Sequence, residues 1–419
     1  MNSRNGQAGR APGSRRKRLP AAERRVEILT RSARLFYQRG YTGVSVDDIG
    51  ADIGISGPAL YRHFAGKEAI LLAIGVGVLD DLVSIVDATL ADAAELSARQ
   101  RLDRTIGPVV EYCLGHRAEL AVALRHVRNL NPDRRAEITR RRDELGDRLV
   151  PILLDVHPQL GIADAELYVR ASAGGVIGLA RVGHRNIPRA RLVELATGLV
   201  SAVLSVSLAP GAEGPVAHTI GWVRSSRREQ ILHTAIGLFR ERGFRGVSMV
   251  DIAEAVGVTA AAPYRHFKNK EDILATALHR AGERVTLGMD AALAGADSAD
   301  SAMNRLLRSY IDVMLEIPDL IVVAAAEQHH LGPDAQAERQ RKQQVFIEEW
   351  THCLTTTRPD LSPSDGAAMV SAIAGMLNEV MLSETLAARP GISDELFQLC
   401  HAALYPTVDD EAIGETVGQ

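Results

Sequence analysis

Two clusters of hydrogen-bond donors occur in this chain, 203 positions apart. The first lies in "ALYRHFAGKEAIL", which begins at Ala59, and the second lies in "APYRHFKNKEDIL", which begins at Ala262. Each cluster holds a phenol, a guanidinium, an imidazole and an ammonium, and all of these groups donate hydrogen bonds to anions such as phosphate. Two copies in the same order require an explanation that covers both.

The clusters belong to a longer repeat. Residues 28–74 align with residues 231–277 without a gap, and 21 of the 47 aligned positions are identical. A period of about 200 residues is far longer than the 20–50 residues of solenoid repeats. The pattern therefore predicts a duplicated domain.

The repeat begins with an amphipathic helix, predicted over about 22–39. Its apolar residues Val26, Leu29, Ala33 and Phe36 recur at intervals of three and four, which gives one buried stripe. We expect Gly40 to end this helix as a left-handed cap.

Two shorter helices follow. Ser45 and Asp48 have the spacing of a capping box at a helix start, and Gly54 ends that helix. Ser56 is expected to cap a third helix over about 57–63. Three short helices with a glycine between the last two predict a helix-turn-helix. The second copy repeats these signals with Gly243, Ser248, Asp251, Gly257 and Thr259.

These blocks resemble the DNA-binding domain of the TetR (tetracycline repressor) family of transcriptional regulators. The resemblance rests on "GYTGVSVDDIGADIGISGPALYRHFAGKEAIL" and on "GFRGVSMVDIAEAVGVTAAAPYRHFKNKEDIL", in which glycines, caps, aromatics and lysine fall in register. It covers about 50 residues in each half. The resemblance implies an all-α fold of two TetR-like units in tandem, each a three-helix DNA-binding domain followed by a helical ligand-binding and dimerisation body.

The resemblance also implies which residues contact DNA, because the second helix of a helix-turn-helix enters the major groove. In the first copy they are Ser45, Ser56, Gly57, Pro58, Ala59, Tyr61, Arg62, His63 and Lys67. In the second copy they are Ser248, Thr259, Ala260, Ala261, Ala262, Tyr264, Arg265, His266 and Lys270. Many of these residues are small, so we expect few base contacts and a contribution from DNA shape.

Other interpretations apply to some of these residues. Phe64 and Phe267 are expected in the core. For Tyr61 and Tyr264, the alternative to DNA contact is partly buried packing. For Arg62 and Arg265, the alternative is a solvated surface position without a DNA contact. Pro263, which replaces Leu60, is expected to start a tight but intact helix.

Lys67 and Lys270 are placed unfavourably for folding alone. Each lies at the start of a helix, where a cation opposes the helix dipole. A bound phosphate in front of the lysine explains its presence, and the resemblance implies that role.

Charge is distributed unevenly along the 419 residues. The formal net charge is −4, yet residues 1–74 carry a net +7 and residues 222–275 a net +3. The remainder carries −14. Two basic regions on two acidic bodies are typical of a protein that binds a polyanion.

Composition excludes several protein classes. The three scattered cysteines lack CxxC spacing, which fits reduced thiols in a cytoplasm and argues against a zinc module. No run of 18 apolar residues occurs, so no transmembrane helix is expected. No phosphate-binding glycine loop, HExxH or GxSxG motif occurs, so we expect neither an enzyme nor a bound cofactor.

The predicted organisation has seven segments. They are a basic arm at 1–21, DNA-binding domains at 22–67 and 224–270, helical bodies at 68–208 and 271–408, a linker at 209–223 and a tail at 409–419. Helices are expected near 67–90, 99–116, 118–130, 133–157, 163–184 and 189–208 in the first body. In the second they are expected near 270–294, 299–316, 319–331, 334–357, 363–388 and 392–405.

The resemblance assigns two further roles to the bodies. Their last two helices form the dimer interface, here about 163–208 and 363–405, and the small residues in "RASAGGVIGLA" and "VSAIAGMLNEV" permit close approach. The middle helices enclose an effector pocket, with candidates Tyr112, His116, His126, Gln328, His329 and Trp350. The alternative for each of these residues is a solvated helix face or a satisfied polar group in the core. No metal site is expected, because adjacent residues such as His329 and His330 cannot aim both rings at one ion from a regular helix.

The predicted function is a cytoplasmic, ligand-responsive repressor that binds an operator in double-stranded DNA. It acts as a single-chain pseudo-dimer, or alternatively as a homodimer of two chains. A further alternative is a ligand-sensing or scaffold protein in which only one helix-turn-helix engages DNA.

Overall fold

The computed structural model describes residues 20–41, 43–127, 130–181, 187–208 and 225–406, without the side chains of 124–126. All regular secondary structure in these ranges is helical. The predicted linker and tail, and nearly all of the basic arm, lie outside the described residues. Residues 20–208 are called half one below, and residues 225–406 are called half two.

Half one begins with the predicted helix-turn-helix, made of α1 (Ala21–Arg39), α2 (Val46–Ile53) and α3 (Gly57–Leu60). The capping box at the start of α2 is present, and Gly54 ends α2 in the left-handed conformation with φ 72° and ψ 34°. A residue with a Cβ is strained there, which explains the glycine. Gly40 also has a positive φ, but its ψ of 151° is not that of the expected left-handed cap.

The body of half one consists of six helices close to the predicted bounds. They are α4 (Lys67–Asp92), α5 (Ala98–Gly115), α6 (Arg117–His126), α7 (Pro132–Val156), α8 (Ile162–Arg181) and α9 (Arg189–Ser205). The first of them runs without a break from the DNA-binding domain into the body, and it packs against α5, α6 and α7.

Half two follows the same order of elements, but a 3-10 turn takes the place of the third helix, and the single helix predicted over 363–388 is wrong because it is divided into two. Its first helices are α10 (Arg227–Arg242) and α11 (Met249–Val256), and a 3-10 turn (Pro263–Arg265) follows. The body contains α12 (Lys270–Ala294), α13 (Ala299–Glu316), α14 (Pro318–Glu327), α15 (Pro333–Thr357), α16 (Pro363–Met381), α17 (Glu384–Ala387) and α18 (Ile392–Leu404).

The two halves pack against each other along α8 and α16, and α9 packs against α18. Small residues bring the first two backbones together, because a Cβ added at Gly178 would lie 2.8 Å from the Cα atom of Ala372. A single hydrophobic core spans both bodies and includes Tyr168, Leu199, Met376 and Leu396. Each DNA-binding domain has a separate core.

By length and composition, α4 alone among the described helices is apolar enough to cross a membrane. The sequence-based expectation of no transmembrane helix rested on the length of uninterrupted apolar runs. In α4, Asp80 and Asp81 interrupt the apolar run. The buried residues Ile70, Ile74 and Val78 line one side of α4. The core helix of a folded domain has the same composition.

Candidate nucleic-acid interface

The aromatic residues of the two repeated clusters divide between core and surface. The side chains of Phe64 and Phe267 are only 4% and 2% exposed, which confirms their expected place in the core. Tyr61 and Tyr264 are 56% and 57% exposed, so the alternative of partly buried packing is wrong. An exposed tyrosine presents both a ring and a hydroxyl to a partner.

The residues before Tyr61 do not all face solvent. Ser56 and Pro58 are exposed, but Gly57 is buried, and a Cβ added there would collide with the side chain of Asp47. Its burial does not favour the predicted DNA contact, which stays a prediction. Ser56 precedes α3 without a side-chain capping bond, and α3 ends at Leu60 rather than near residue 63.

The equivalent segment of half two is exposed but less regular. Thr259, Ala260 and Ala261 are exposed, and Ala262 is half-buried. In half one the backbone amide of Leu60 donates to the backbone carbonyl oxygen of Ser56 at 3.2 Å. Pro263 at the aligned position has no N–H, so this bond cannot form. The expected intact helix is consequently replaced by a short 3-10 turn.

Ser45 and Ser248 hold the starts of α2 and α11. The Ser45 side chain accepts from the Asp48 amide at 3.0 Å, and that of Ser248 accepts from the Asp251 amide at 3.1 Å. The acidic partners accept hydrogen bonds from the serine amides in return. Both serines are exposed, so each frames the helix-turn-helix and remains accessible to a phosphate.

The lysines at the starts of α4 and α12 turn inward. Lys67 Nζ donates to the carbonyl oxygens of Tyr41 and Val44, each at 2.8 Å, and lies 4.3 Å from the centre of the Tyr41 ring. Lys270 Nζ likewise donates to Phe244 at 2.7 Å and Val247 at 2.9 Å. A bound phosphate is therefore an incomplete explanation for the two lysines, because two of the three N–H groups of each ammonium bind carbonyl oxygens of the preceding turn.

The remaining basic residues of the clusters lie at the surface. Arg62, Arg265 and His266 are exposed, and His63 is half-buried. The exposure of the arginines fits both DNA contact and a plain solvated surface, so the contact remains a prediction.

A second pair of arginines was missed by the sequence reasoning. The guanidinium of Arg25 lies 4.1 Å from the centre of the Phe64 ring, and that of Arg228 lies 4.6 Å from the Phe267 ring. Arg25 also donates to the carbonyl oxygen of His63 at 2.8 Å. These arginines are themselves 203 positions apart, so extending the alignment three residues upstream finds them.

The effector candidates of half one lie partly together. The Tyr112 hydroxyl donates to Asp81 at 2.7 Å, and its ring stacks on His116 with centres 4.1 Å apart. Burial, followed by the hydrogen bond with Asp81, raises the pKa of Tyr112 well above its usual value. The side chain of His126 lies outside the described residues.

The candidates of half two lie in different surroundings. Trp350 is 1% exposed and packs against Tyr310 and Phe346 in the core. Gln328 accepts from Arg339 at 3.1 Å, whereas the His329 ring contacts His330. A cavity of about 410 Å³ lies elsewhere, and residues of α9, α13 and α18 line it. None of the six predicted residues is among them.

Comparisons with known proteins support the repeat. The family model "Bacterial regulatory proteins, tetR family" matches the chain twice, at residues 28–74 and 231–277. A model described as "Tetracyclin repressor-like, C-terminal domain" matches residues 95–181.

Similar proteins are transcriptional regulators. The transcriptional activator FasR of Mycolicibacterium smegmatis is 39% identical over 100 residues, which are 24% of this chain and 45% of FasR. The transcriptional repressor KstR2 of Rhodococcus jostii is 41% identical over 51 residues, 12% of this chain and 25% of KstR2. The chain thus spans less than half the length of either relative.

Solved structures match one half of the chain at a time. The TetR family regulator PfmR of Thermus thermophilus is 26% identical and has a TM-score of 0.38, covering 43% of this chain and 99% of PfmR. The two matches to one family model account for both copies of the repeat. The chain carries the DNA-binding domain of the tetR family of bacterial regulatory proteins twice, with a tetracyclin repressor-like C-terminal domain after the first copy.

Proposed function

We propose that the protein is a sequence-specific DNA-binding transcriptional regulator in which both helix-turn-helix domains of one chain read one DNA site. The observation that carries this proposal is that Tyr61 and Tyr264 are equally exposed, each at the same position of a domain with the same kind of buried core. Folding alone does not need a large exposed aromatic residue at the same position of both copies. Contact with a DNA backbone uses both its ring and its hydroxyl.

The two helix-turn-helix domains that read the DNA site are proposed to belong to the same chain. The contact between α8 and α16 joins the halves, and ion pairs cross the same junction, including Arg191 with Asp365 at 3.3 Å. This arrangement supports a single-chain pseudo-dimer over a homodimer of two chains. Once one of the two tethered domains has bound DNA, the second domain is present at a high effective concentration near the same site.

The two domains are proposed to grip DNA in a similar way and to read different bases. Residues 61–64 and 264–267 both read "YRHF", whereas residues 56–60 read "SGPAL" and residues 259–263 read "TAAAP". The buried Gly57 and the 3-10 turn at Pro263 add a difference in backbone shape. We therefore expect two unlike half-sites in the operator.

A small-molecule effector is proposed to lower the affinity of the protein for DNA. The protein would then be a repressor that leaves its operator when the effector binds. The cavity of about 410 Å³ is lined from both halves, by Ser205 of α9 and by His401 of α18 among others. A ligand that fits only one arrangement of the halves shifts the population toward that arrangement. Operator DNA as the partner places the protein in the cytoplasm with the nucleoid.

The bodies are tied to the DNA-binding domains by specific contacts. Arg280 of α12 forms two hydrogen bonds with Glu229 of α10, at 2.6 and 2.7 Å. In half one, α1 of the DNA-binding domain packs against α6 of the body. These contacts provide a route by which movement in a body alters the domain that it carries.

A second candidate function has only the first helix-turn-helix on DNA. The specific observation in its favour is the loss of the regular third helix in half two, caused by Pro263. In that case the second half serves as a ligand-sensing or scaffold partner.

Gel-shift titration separates the candidates, using a DNA site selected from a random pool by the intact protein. Tyr61→Ala and Tyr264→Ala are each expected to weaken binding at least about tenfold, a loss of roughly 1.4 kcal/mol. Leu287→Ala, at an exposed residue of α12, is the matched control and should leave affinity unchanged. Full affinity in Tyr264→Ala would favour the second candidate.

A further inference from the structure

Three metal-ligating side chains meet at the end of α14. The ligand atoms of Glu327, His329 and His330 all lie within 4.8 Å of one another. The two imidazole rings have centres 4.1 Å apart, and His330 Nε2 lies 3.6 Å from Glu327 Oε2. The regular helix assumed for this segment is wrong, because residues 328–330 form a 3-10 turn, and this turn brings adjacent rings together.

The cluster is built into the fold. Glu327 is 7% exposed and accepts a hydrogen bond from the Phe244 amide at 3.4 Å. The His330 ring stacks on the Phe244 ring with centres 4.7 Å apart. These two contacts fix the positions of Glu327 and His330 against the second DNA-binding domain.

We propose that Glu327, His329 and His330 form a binding site for one zinc-like divalent transition-metal ion. Two imidazole nitrogens and one carboxylate are a ligand set that Zn²⁺ uses, with a fourth position open to water. Ligand atoms around tetrahedral Zn²⁺ lie about 3.3 Å apart, given bonds of about 2.0–2.2 Å. The ligand atoms lie within 4.8 Å of one another in the structure and must approach to that distance when an ion binds.

Nearby cations limit which metals the site accepts. Arg245, in the turn between α10 and α11, and Lys270, at the start of α12, both act electrostatically on His330. Their positive charge opposes any bound cation, so the ligand bonds must be strong. Nitrogen ligands favour Zn²⁺ and related ions over Mg²⁺ and Ca²⁺, which prefer oxygen.

The site lies where the two DNA-binding domains approach each other. Glu327 contacts Phe244 of the second domain, whereas a Cβ added at Gly40 of the first domain would lie 3.3 Å from His329 Cδ2. An ion bound here fixes His329 and His330 relative to one another, between both domains. The expected consequence, which rests on the proposed function, is a change in DNA affinity on metal binding.

Among the described residues, this ligand set occurs in half two, and the sequence of half one does not repeat it. "LNP" at residues 130–132 aligns with "LGP" at residues 331–333, and the alignment places His126 opposite Glu327. Arg128 and Asn129 then replace the two histidines, and an arginine cannot serve as a ligand because it stays protonated. The expected stoichiometry is therefore one ion per chain.

Calorimetric titration of the EDTA-treated full chain with ZnCl₂ tests the site. We expect one Zn²⁺ per chain and no binding of Mg²⁺. His329→Ala and His330→Phe, the latter keeping a ring against Phe244, should each weaken binding at least about tenfold. His279→Ala is the control, since this exposed histidine also lies beside carboxylates. Circular dichroism verifies that each variant is folded.

The outcomes separate this inference from the proposed function. Loss of binding in the two variants but not in the control supports the site. Absence of Zn²⁺ binding in the parent chain, or equal binding in His329→Ala and His330→Phe, overturns it. DNA affinity measured with and without Zn²⁺ is a separate readout. Unchanged affinity overturns only the regulatory consequence, and no DNA binding under either condition overturns only the proposed function.

Discussion

Gly174 of α8 and Gly375 of α16 face each other where the two halves of the chain meet. A Cβ added to Gly174 would lie 2.5 Å from the carbonyl oxygen of Gly375 and 2.8 Å from the Cα atom of Met376. No Cβ atom fits at these distances, so the two backbones must separate to admit even one methyl group. The pairing of the halves therefore depends on hydrogen as the side chain at this crossing.

Substitution Gly174→Ala is expected to destabilise the protein by about 1–3 kcal/mol, as overpacking does in other tight contacts. Gly198→Ala is the matched control, because Gly198 lies exposed on α9 with no atom near an added Cβ. That change should stabilise its helix by up to about 1 kcal/mol. Thermal unfolding measures both. Equal effects of the two substitutions would contradict the close contact.

The inward-facing lysines lead to a prediction that distinguishes two roles. Lys67→Met removes two hydrogen bonds to the Tyr41 and Val44 carbonyls and should cost about 1–3 kcal/mol in the local stability of α1 and α2. Hydrogen exchange measured by mass spectrometry would detect faster exchange in that segment. Lys270→Met should have the same effect on α10 and α11 only.

The same lysine variant also reports on phosphate contact. If Lys67 serves only the turn, DNA affinity falls but its dependence on salt concentration stays the same. Loss of one phosphate contact instead makes the negative slope of log K against log salt shallower by about 0.9. The third N–H of the ammonium allows the second result, which would restore the role predicted from sequence.

Exchange of the segments before the tyrosines is expected to change which DNA is selected. Residues 259–263 become "SGPAL" through Thr259→Ser, Ala260→Gly, Ala261→Pro, Ala262 unchanged and Pro263→Leu. The new leucine amide can donate to the residue 259 carbonyl, which restores the helical bond seen in half one. Sites selected from a random pool should then become palindromic. Sites that keep unlike halves would show that other residues determine the preference.

The three cysteines are predicted to be unreactive in the native protein. Burial raises the pKa of Cys113 to about 12 and also raises those of Cys353 and Cys400, which disfavours the reactive thiolate at each site. A thiol reagent such as DTNB should label all three only in denaturant. Ser84→Cys, at an exposed position of α4, provides the reactive control. Rapid labelling of the parent chain would contradict the burial of these residues.

Local sequence signals predicted the helical framework closely. The bounds of α12 and α13 match the predictions, since Asn269 and Ser298 cap their first turns with side chains that accept backbone hydrogen bonds. The capping boxes of α2 and α11 were likewise predicted, because both partners of each box lie three residues apart.

Features that depend on contacts between distant segments could not be predicted in this way. The burial of Gly57 depends on Asp47, which belongs to the preceding helix. The inward position of Lys67 depends on carbonyl groups 23 and 26 residues away. The meeting of His329 and His330 depends on α14 ending at Glu327, where the sequence showed no cap.

The central claim is that one chain with two helix-turn-helix domains occupies one operator. Native mass spectrometry of the protein with its selected DNA site measures this directly. We expect a complex that contains a single 45.2 kDa chain and one DNA duplex. A complex that contains two chains on one duplex would contradict the single-chain pseudo-dimer.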